Sequence, residues 1–343
     1  MKNTFKTLAI AAAVSAGLAG TANACSTFFF DTPQDNRIVG RSMESPIKLE
    51  ERVFMAPRNY EGFGGVTGSI GYVGIMHGDT DWVSSGLNEQ GLNVETLGLG
   101  GGGNHSKYAE IGEGDYNQQN ISVYILANAK SVDEAIELLK KVKVENSDLP
   151  VAHGIDVGLH LAITDTEKAI VVEWTDGSGY PEIHENKLGV MTNEPAYPLQ
   201  MEEAALHLGG VADYEASDVK WSDLGFPAFE RTPFGRTKHI VSMNYTNDFA
   251  RVKNDFDAVN HAWTMLNTMD IPQGSLYWKW LDAKPQMVGY FNVVDLKNTD
   301  YYLRTFDNMD IQKIDLNKID FANVKFTHRD IYKSKTEYSD IQW

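Results

Sequence analysis

The chain holds one cysteine, Cys25. It follows a segment with the grammar of a secretory signal peptide: Lys2 and Lys6, an apolar run from Leu8 to Ala19, and Ala22-Asn23-Ala24 as an A-x-A cleavage site. Cleavage after Ala24 makes Cys25 the first residue of the mature chain. A lone cysteine in an exported protein cannot form an internal disulfide. Three roles are open to it. An incidental exposed thiol is a liability in an oxidising compartment. A lipoprotein attachment site is only partly matched by Ala22 and Asn23 at the preceding positions. The third role is a nucleophile whose own freed α-amine serves as the base. A thiol of pKa about 8.5 beside an α-amine of about 7.7–8 lets a proton pass between them near neutral pH. Nucleophile and base then share one residue, and no histidine is needed.

Such a residue must be held by the segments that follow it. Ser26-Thr27-Phe28-Phe29-Phe30 is β-prone, Thr32-Pro33-Gln34-Asp35-Asn36 is rich in turn formers, and Arg37 to Glu44 reads as a second strand. A hairpin turning at Gln34-Asp35 pairs positions summing to about 69, which brings Cys25 close to Met43 and Glu44. Arg41 and Glu44 then carry a cation and a carboxylate to the cysteine end. The cation lowers the thiol pKa, and the carboxylate holds the ammonium. Singly, each is an ordinary strand-edge charge. Their convergence on the only cysteine points to chemistry.

The rest of the 343 residues bounds what that chemistry serves. Hydrophobic residues at 42% and charged ones at 22% fit a folded globular protein. No apolar run reaches the roughly 20 residues of a membrane span. The formal net charge is −17, and losing residues 1–24 removes two lysines and no acidic residue, taking it to −19. So acidic a surface repels phosphate backbones and anionic lipid, which argues against nucleic-acid and membrane-surface roles, and no membrane insertion is expected.

Further strands are expected at Arg52–Met55, Gly68–Met76 and Leu92–Leu97. A helix follows over Asn120–Ala127, and a second opens with the capping box Ser131-Val132-Asp133-Glu134. Strands return at Gly158–Thr164, Ala169–Trp174 and Lys187–Met191. Helices are expected over Arg236–Met243 and Asp255–Met269, then strands at Leu276–Trp280, Met287–Val294, Tyr301–Thr305 and Ile311–Ile314. This order lacks βαβ alternation and predicts an α+β fold of antiparallel sheets with segregated helices. Residues 25–343 read as one domain, with a polar, peripheral tail over 327–343.

Other motifs are weak. Gly98-Leu99-Gly100-Gly101-Gly102-Gly103 matches G-x-G-x-x-G formally, but no helix begins after it, and it reads as a loop leaving a strand. None of the nine histidines forms a zinc spacing, so no metal or other cofactor is expected. His160, inside an apolar strand, reads as a hydrogen-bonded core residue, and His77-Gly78-Asp79-Thr80-Asp81 as a polar turn. Tyr277-Trp278-Lys279-Trp280 reads as core and surface packing. No G-x-S-x-G elbow is present.

In combination the residues resemble the choloylglycine hydrolase family of bile salt hydrolases, penicillin V acylases and related linear-amide hydrolases. The likeness lies in Cys25 followed by Gly40-Arg41-Ser42-Met43, in Gly86-Leu87-Asn88-Glu89-Gln90-Gly91-Leu92, and in Val190-Met191-Thr192-Asn193-Glu194-Pro195. Weaker anchors are Phe234-Gly235-Arg236 and Phe291-Asn292-Val293-Val294-Asp295-Leu296. The resemblance implies an N-terminal-nucleophile hydrolase with an αββα four-layer fold that cleaves a small-molecule amide without a cofactor. It implies a homo-oligomer, tetrameric in similar proteins. Position by position, Cys25 matches the nucleophile, Arg41 the arginine beside it, Asn193 the oxyanion-hole amide and Arg236 the second active-site arginine. Glu44 stands where the family usually has aspartate. The other oxyanion contributor falls at or near Gly98, where only a backbone N–H can serve. The exported, acidic form resembles the Gram-negative branch, with penicillin V or acyl-homoserine lactone acylase activity. Bile salt hydrolysis is the alternative, and an exported lipid-anchored or binding protein with acylated Cys25 is the alternative from another class.

Overall fold

The computed structural model describes residues 25–101, 106–153, 157–207, 233–246, 252–278, 282 and 284–342. The expected signal peptide, Gly102, Gly103, Lys279 and Trp280 lie outside these. The chain begins with strands β1 (Ser26–Thr32), β2 (Asn36–Ser45), β3 (Glu51–Ala56), β4 (Tyr72–His77), β5 (Val83–Asn88), β6 (Asn93–Gly101) and β7 (Tyr116–Asn117). Helices α1 (Ile121–Asn128) and α2 (Val132–Leu139) come next. Strands β8 (Val144–Glu145), β9 (Val157–Thr164), β10 (Ala169–Glu173), β11 (Glu182–Glu185) and β12 (Val190–Thr192) lead to α3 (Tyr197–His207), α4 (Pro233–Thr246) and α5 (Asp255–Asn267). Six strands close the chain: β13 (Tyr277–Trp278), β14 (Lys284–Pro285), β15 (Met287–Asp295), β16 (Asp300–Thr305), β17 (Gln312–Asp315) and β18 (Thr327–Asp330).

Two large sheets form, and every pairing within them is antiparallel. One has the order β12-β1-β2-β15-β16-β17, the other β11-β10-β9-β6-β5-β4-β3-β18. Helices α4 and α5 pack on the first sheet and α1 on the second, giving the αββα layering. Strand β2 is buried along its whole length because both of its faces are covered. The Ser131 half of the capping box forms, with Oγ accepting the Glu134 N–H at 3.3 Å, while the Glu134 carboxylate takes the Lys130 N–H at 2.9 Å in place of that of Ser131. Helix α5 is capped likewise by Asn254 and buries Ala258, Ala262, Val259 and Leu266 at helical spacing.

The β1–β2 hairpin forms one residue out of the expected register. Ser26 faces Ser42 and Thr32 faces Asn36, so the turn centres on Gln34 and the extrapolated partner of Cys25 is Met43. The expected strand over Lys187–Met191 is shorter, starting at Val190, and it pairs with β1. Strands β5 and β11 and helix α3 had no clear periodicity. The glycine run does not simply leave the strand: β6 continues through Gly101, with a bulge between Gly98 and Gly101 opposite β9. The polar tail is peripheral but structured, since β18 pairs with β3 at the sheet edge and Ile331 is buried.

Candidate active site

Cys25 immediately precedes β1, which has β12 on one side and β2 on the other. Its thiol is buried, with Sγ 3.5 Å from Met43 Sδ and 3.7 Å from the Glu44 carbonyl oxygen. Neither neighbour is a base. Burial pushes the thiol pKa up, and the charges of Arg41 and Arg236 pull against that rise while Glu44 adds to it.

Strand alternation sends Arg41 and Glu44 to opposite faces of β2. Arg41 lies between the sheets. Its Nε is 3.3 Å from Glu95 Oε2 on β6, and both side chains are wholly buried. Its Nη2 donates to the Thr96 carbonyl at 3.0 Å, and its Nη1 donates to the Tyr290 hydroxyl. Glu95 in turn accepts from Ser85 at 2.9 Å and from Asn93 and Asn292 at 3.0 Å each. Glu44 points to the helix layer, where Arg236 of α4 meets it with Nη1 at 2.6 Å from Oε1 and 2.5 Å from Oε2. The same Nη1 is 3.4 Å from Ser26 Oγ. Each arginine beside the thiol is therefore matched by a carboxylate. Opposite Met43 and Glu44, β15 bulges at Gly289. A Cβ there would come within 2.8 Å of Glu51 Oε1 and 2.9 Å of the Tyr332 hydroxyl oxygen, so any larger residue would displace these two side-chain ends.

A hydrogen-bonded chain leads from Arg41 to the wall of the adjoining pocket. The Tyr290 hydroxyl is 2.7 Å from Ser84 Oγ, which is 2.6 Å from His77 Nε2, and His77 Nδ1 is 3.2 Å from the Leu49 carbonyl oxygen. Burial, and then the charge of Arg41, push the His77 pKa down to about 3, so the ring is neutral near pH 7. Its Nδ1–H then donates to Leu49, which leaves Nε2 to accept from Ser84. His77 also stacks on Trp82 at 4.0 Å between ring centroids. The expected polar turn after His77 does form, with the Thr80 N–H donating to the His77 carbonyl, but the histidine itself is buried below it.

Asn193 follows β12, and its Nδ2 donates to the Gly98 carbonyl at 2.7 Å. That contact identifies the nitrogen end of the amide and uses one of its two hydrogens. Cys25, Glu44, Gly98 and Asn193 all line one pocket, whose walls are Met43, Ile47, Leu49, Trp82, Leu97 and Leu149 with further apolar side chains. Among the described residues, Cys25 and Glu44 are the ionisable residues at its lining, and the Glu44 carboxylate is turned to Arg236. The expected site residues thus gather at one place, with Arg41 and Arg236 behind the lining.

Sequence reasoning did not single out Glu95, Tyr290, Glu173 or Gln200. Glu95 carried a faint signal, as the one charged residue of the Leu92–Leu97 strand. His160 is a hydrogen-bonded core histidine as read, with Nδ1 2.9 Å from Glu173 Oε1. Glu173 also accepts the Tyr197 N–H with both oxygens at 2.9 Å, anchoring the start of α3.

A profile of the family described as linear amide C–N hydrolases, choloylglycine hydrolase family, matches residues 25–332. The chain is 26% identical over 316 residues to a bile salt hydrolase/transferase of Clostridium perfringens, covering 86% of this chain and 93% of that one. It is 24% identical over 339 residues to a penicillin V acylase of Pectobacterium atrosepticum, covering 87% and 82%. A crystal structure of conjugated bile acid hydrolase from Clostridium perfringens superposes with a TM-score of 0.75 at 22% identity, covering 93% of this chain and 100% of that one. Penicillin V acylase from Agrobacterium tumefaciens superposes with 0.71 at 19% identity, covering 91% and 94%. With its two antiparallel sheets between helical layers and its cysteine at the head of the first strand, the chain belongs to the choloylglycine hydrolase family of linear amide C–N hydrolases.

Proposed function

We propose that the protein is an exported cysteine amidase that cleaves a neutral amide with an apolar acyl group, through a thioester on Cys25. One observation carries this. The thiol lies buried in an apolar pocket, its contacts are a thioether and a carbonyl, and both nearby arginines already face carboxylates. Side chains around Sγ therefore supply no base. The α-amine that cleavage after Ala24 would free is the group left to take the thiol proton. Burial of the thiol also argues against lipid attachment there.

The mechanism follows. The α-amine takes the Cys25 proton, and Glu44 favours the resulting ammonium. The thiolate adds to the amide carbonyl while the acyl group occupies the pocket between Leu49, Trp82 and Leu149. The free hydrogen of Asn193 Nδ2, with a backbone N–H near Gly98, holds the tetrahedral oxyanion. A donor of this kind typically lowers the barrier by about 3–4 kcal/mol. The ammonium protonates the leaving amine, the C–N bond breaks and the thioester forms. Water, activated by the same amine, then hydrolyses the thioester and returns the thiol.

The pocket lining favours a neutral leaving group. Neither Arg41 nor Arg236 lines the pocket and each is matched by a carboxylate, so the site offers little to an anionic amine such as glycine or taurine. Acyl-homoserine lactone is therefore favoured over conjugated bile salts and over penicillin V, each of which carries one anionic group on its amine side. The test compares the mature protein with a form proven by mass to retain Ala24, on all three substrate classes. The retained residue converts the amine to a non-basic amide and should abolish turnover without unfolding the chain. Full activity of the Ala24-retaining form overturns the proposal, and preference for taurine conjugates overturns the substrate assignment.

A further inference from the structure

We propose that Gln200 is a positioning residue for oxyanion stabilisation, a clamp that fixes the backbone under Asn193 and ties it to the helix bearing Arg236. The inference rests on Asn193 as the oxyanion donor. Gln200 lies in the first turn of α3 and is fully buried. Its Nε2 donates to the carbonyls of Asn193 at 3.0 Å and Pro195 at 2.7 Å. Its Oε1 accepts from the N–H of Thr192 at 3.1 Å and from the Thr192 hydroxyl at 3.2 Å. Both amide hydrogens and both oxygen lone pairs are thereby used. All four bonds go to the four-residue segment that contains Asn193. One side chain brackets that segment from both sides.

The clamp has a fixed base and a second attachment. Its base is the start of α3, where Glu173 holds the Tyr197 N–H and His160 braces Glu173. The attachment runs through Thr192, whose Oγ1 is 2.9 Å from the Thr237 hydroxyl, one residue beyond Arg236. Gln200 therefore links the backbone carrying the oxyanion donor to the turn of α4 that carries the partner of Glu44. An oxyanion donor works by being in place before charge develops, and a misplacement of about 1 Å costs up to a hundredfold in rate. Gln200 does not line the pocket, so loosening it leaves the substrate's apolar contacts alone. The signature is a loss in kcat with KM held.

The test is a double-mutant cycle in the mature enzyme with Gln200→Met, Asn193→Ala and both together, read with octanoyl p-nitroanilide. Octanal serves as a second probe, because its hemithioacetal with Cys25 places an oxygen where the oxyanion forms, while octanol fills the pocket without that oxygen. Gln200→Met should lower kcat about 10- to 100-fold, leave KM within about twofold, and weaken octanal but not octanol. In the Asn193→Ala background it should have no further effect. Gln200→Glu keeps the acceptor toward Thr192 but loses both donated bonds, and it should resemble Gln200→Met. An equal loss with and without Asn193 overturns the clamp, as does a change confined to KM. Failure of both Gln200 variants to fold by circular dichroism makes the residue a folding element and overturns it too. If Asn193→Ala itself leaves kcat unchanged, the oxyanion assignment fails and takes the clamp with it.

Discussion

The two faces of β2 hold two buried ion pairs built from the same residue types and set in different surroundings. On the face between the sheets, Arg41 meets Glu95 at 3.3 Å, and Glu95 is also held by Ser85, Asn93 and Asn292. On the helix face, Arg236 meets Glu44 at 2.5 Å, and the same arginine nitrogen reaches Ser26 beside the nucleophile. The first pair is embedded in a strand-to-strand network that leads through Tyr290, Ser84 and His77 to the pocket wall. The second joins a strand to a helix and touches Ser26, the residue after Cys25. The Arg41–Glu95 pair therefore chiefly maintains the sandwich and the Arg41 field. In the proposed mechanism the Glu44–Arg236 pair acts on the α-amine, while Arg41 is the larger of the two cationic influences on the thiol.

Breaking the helix-face pair should give the largest effect on turnover. Glu44→Gln keeps shape but removes the charge that favours the ammonium. It should lower kcat/KM about 10²- to 10⁴-fold, the range of a lost acid–base partner, and shift the amine-dependent limb of the pH–rate profile downward. Glu44→Asp keeps the charge and should cost less. A wild-type profile for Glu44→Gln would remove Glu44 from the site.

The interior pair should show the reverse balance. Glu95→Gln leaves Arg41 charged and uncompensated between the sheets, a change that typically costs about 3–5 kcal/mol of stability. Turnover in the folded fraction should fall less than tenfold. Freed of Glu95, Arg41 lowers the thiol pKa further, so iodoacetamide should alkylate Cys25 at lower pH than in the wild type. If Glu95→Gln instead kills activity with stability intact, the division between the two faces is wrong.

Glu51 sharpens the contrast, because it is as buried as the other two carboxylates but meets no arginine among the described residues. Burial pushes its pKa up to about 7; the Leu49 N–H and the charge of Lys48 only partly offset this. The sign follows directly. A folded-state pKa above the unfolded value of about 4.5 gives stability that is present below pH 4.5 and lost as pH rises through 7. The loss is about 3 kcal/mol at most. Denaturant titrations should show Glu51→Gln gaining on the wild type between pH 4.5 and 7 and running parallel above it. A constant difference across that range would show that Glu51 keeps its charge when folded.

Tyr290→Phe should give the smallest change. It removes an acceptor for Arg41 and the link to Ser84, costing about 1–3 kcal/mol of stability and only a few-fold in kcat. A loss as large as that of Glu44→Gln would make the interior network part of the chemistry.

Much of this site was legible in the chain. One cysteine behind an A-x-A site, followed by a β-prone segment, a turn and a strand with Arg41 and Glu44, already places a nucleophile at a hairpin end. Alternation along β2 is a local property, and so was the Ser131 cap. Gln200 and Glu173 were not legible. Helix α3 has no apolar stripe, and Gln200 acts through backbone groups of residues that any sequence would supply.

What the sequence determined by itself is the inventory and its short-range placement, because hairpin register, strand alternation and helix caps depend on neighbours a few residues apart. The structure then moved even the hairpin by one residue, since β12 and β15 flank it and fix which pairs meet. Only the tertiary structure decided the charge balance. Arg236 lies 192 positions from Glu44 and Arg41 lies 54 from Glu95, yet each pair closes to hydrogen-bonding or ion-pair distance once two sheets and a helix layer assemble. A buried charge is tolerated only where an opposite one meets it, and which residues meet is settled by how sheets and helices stack.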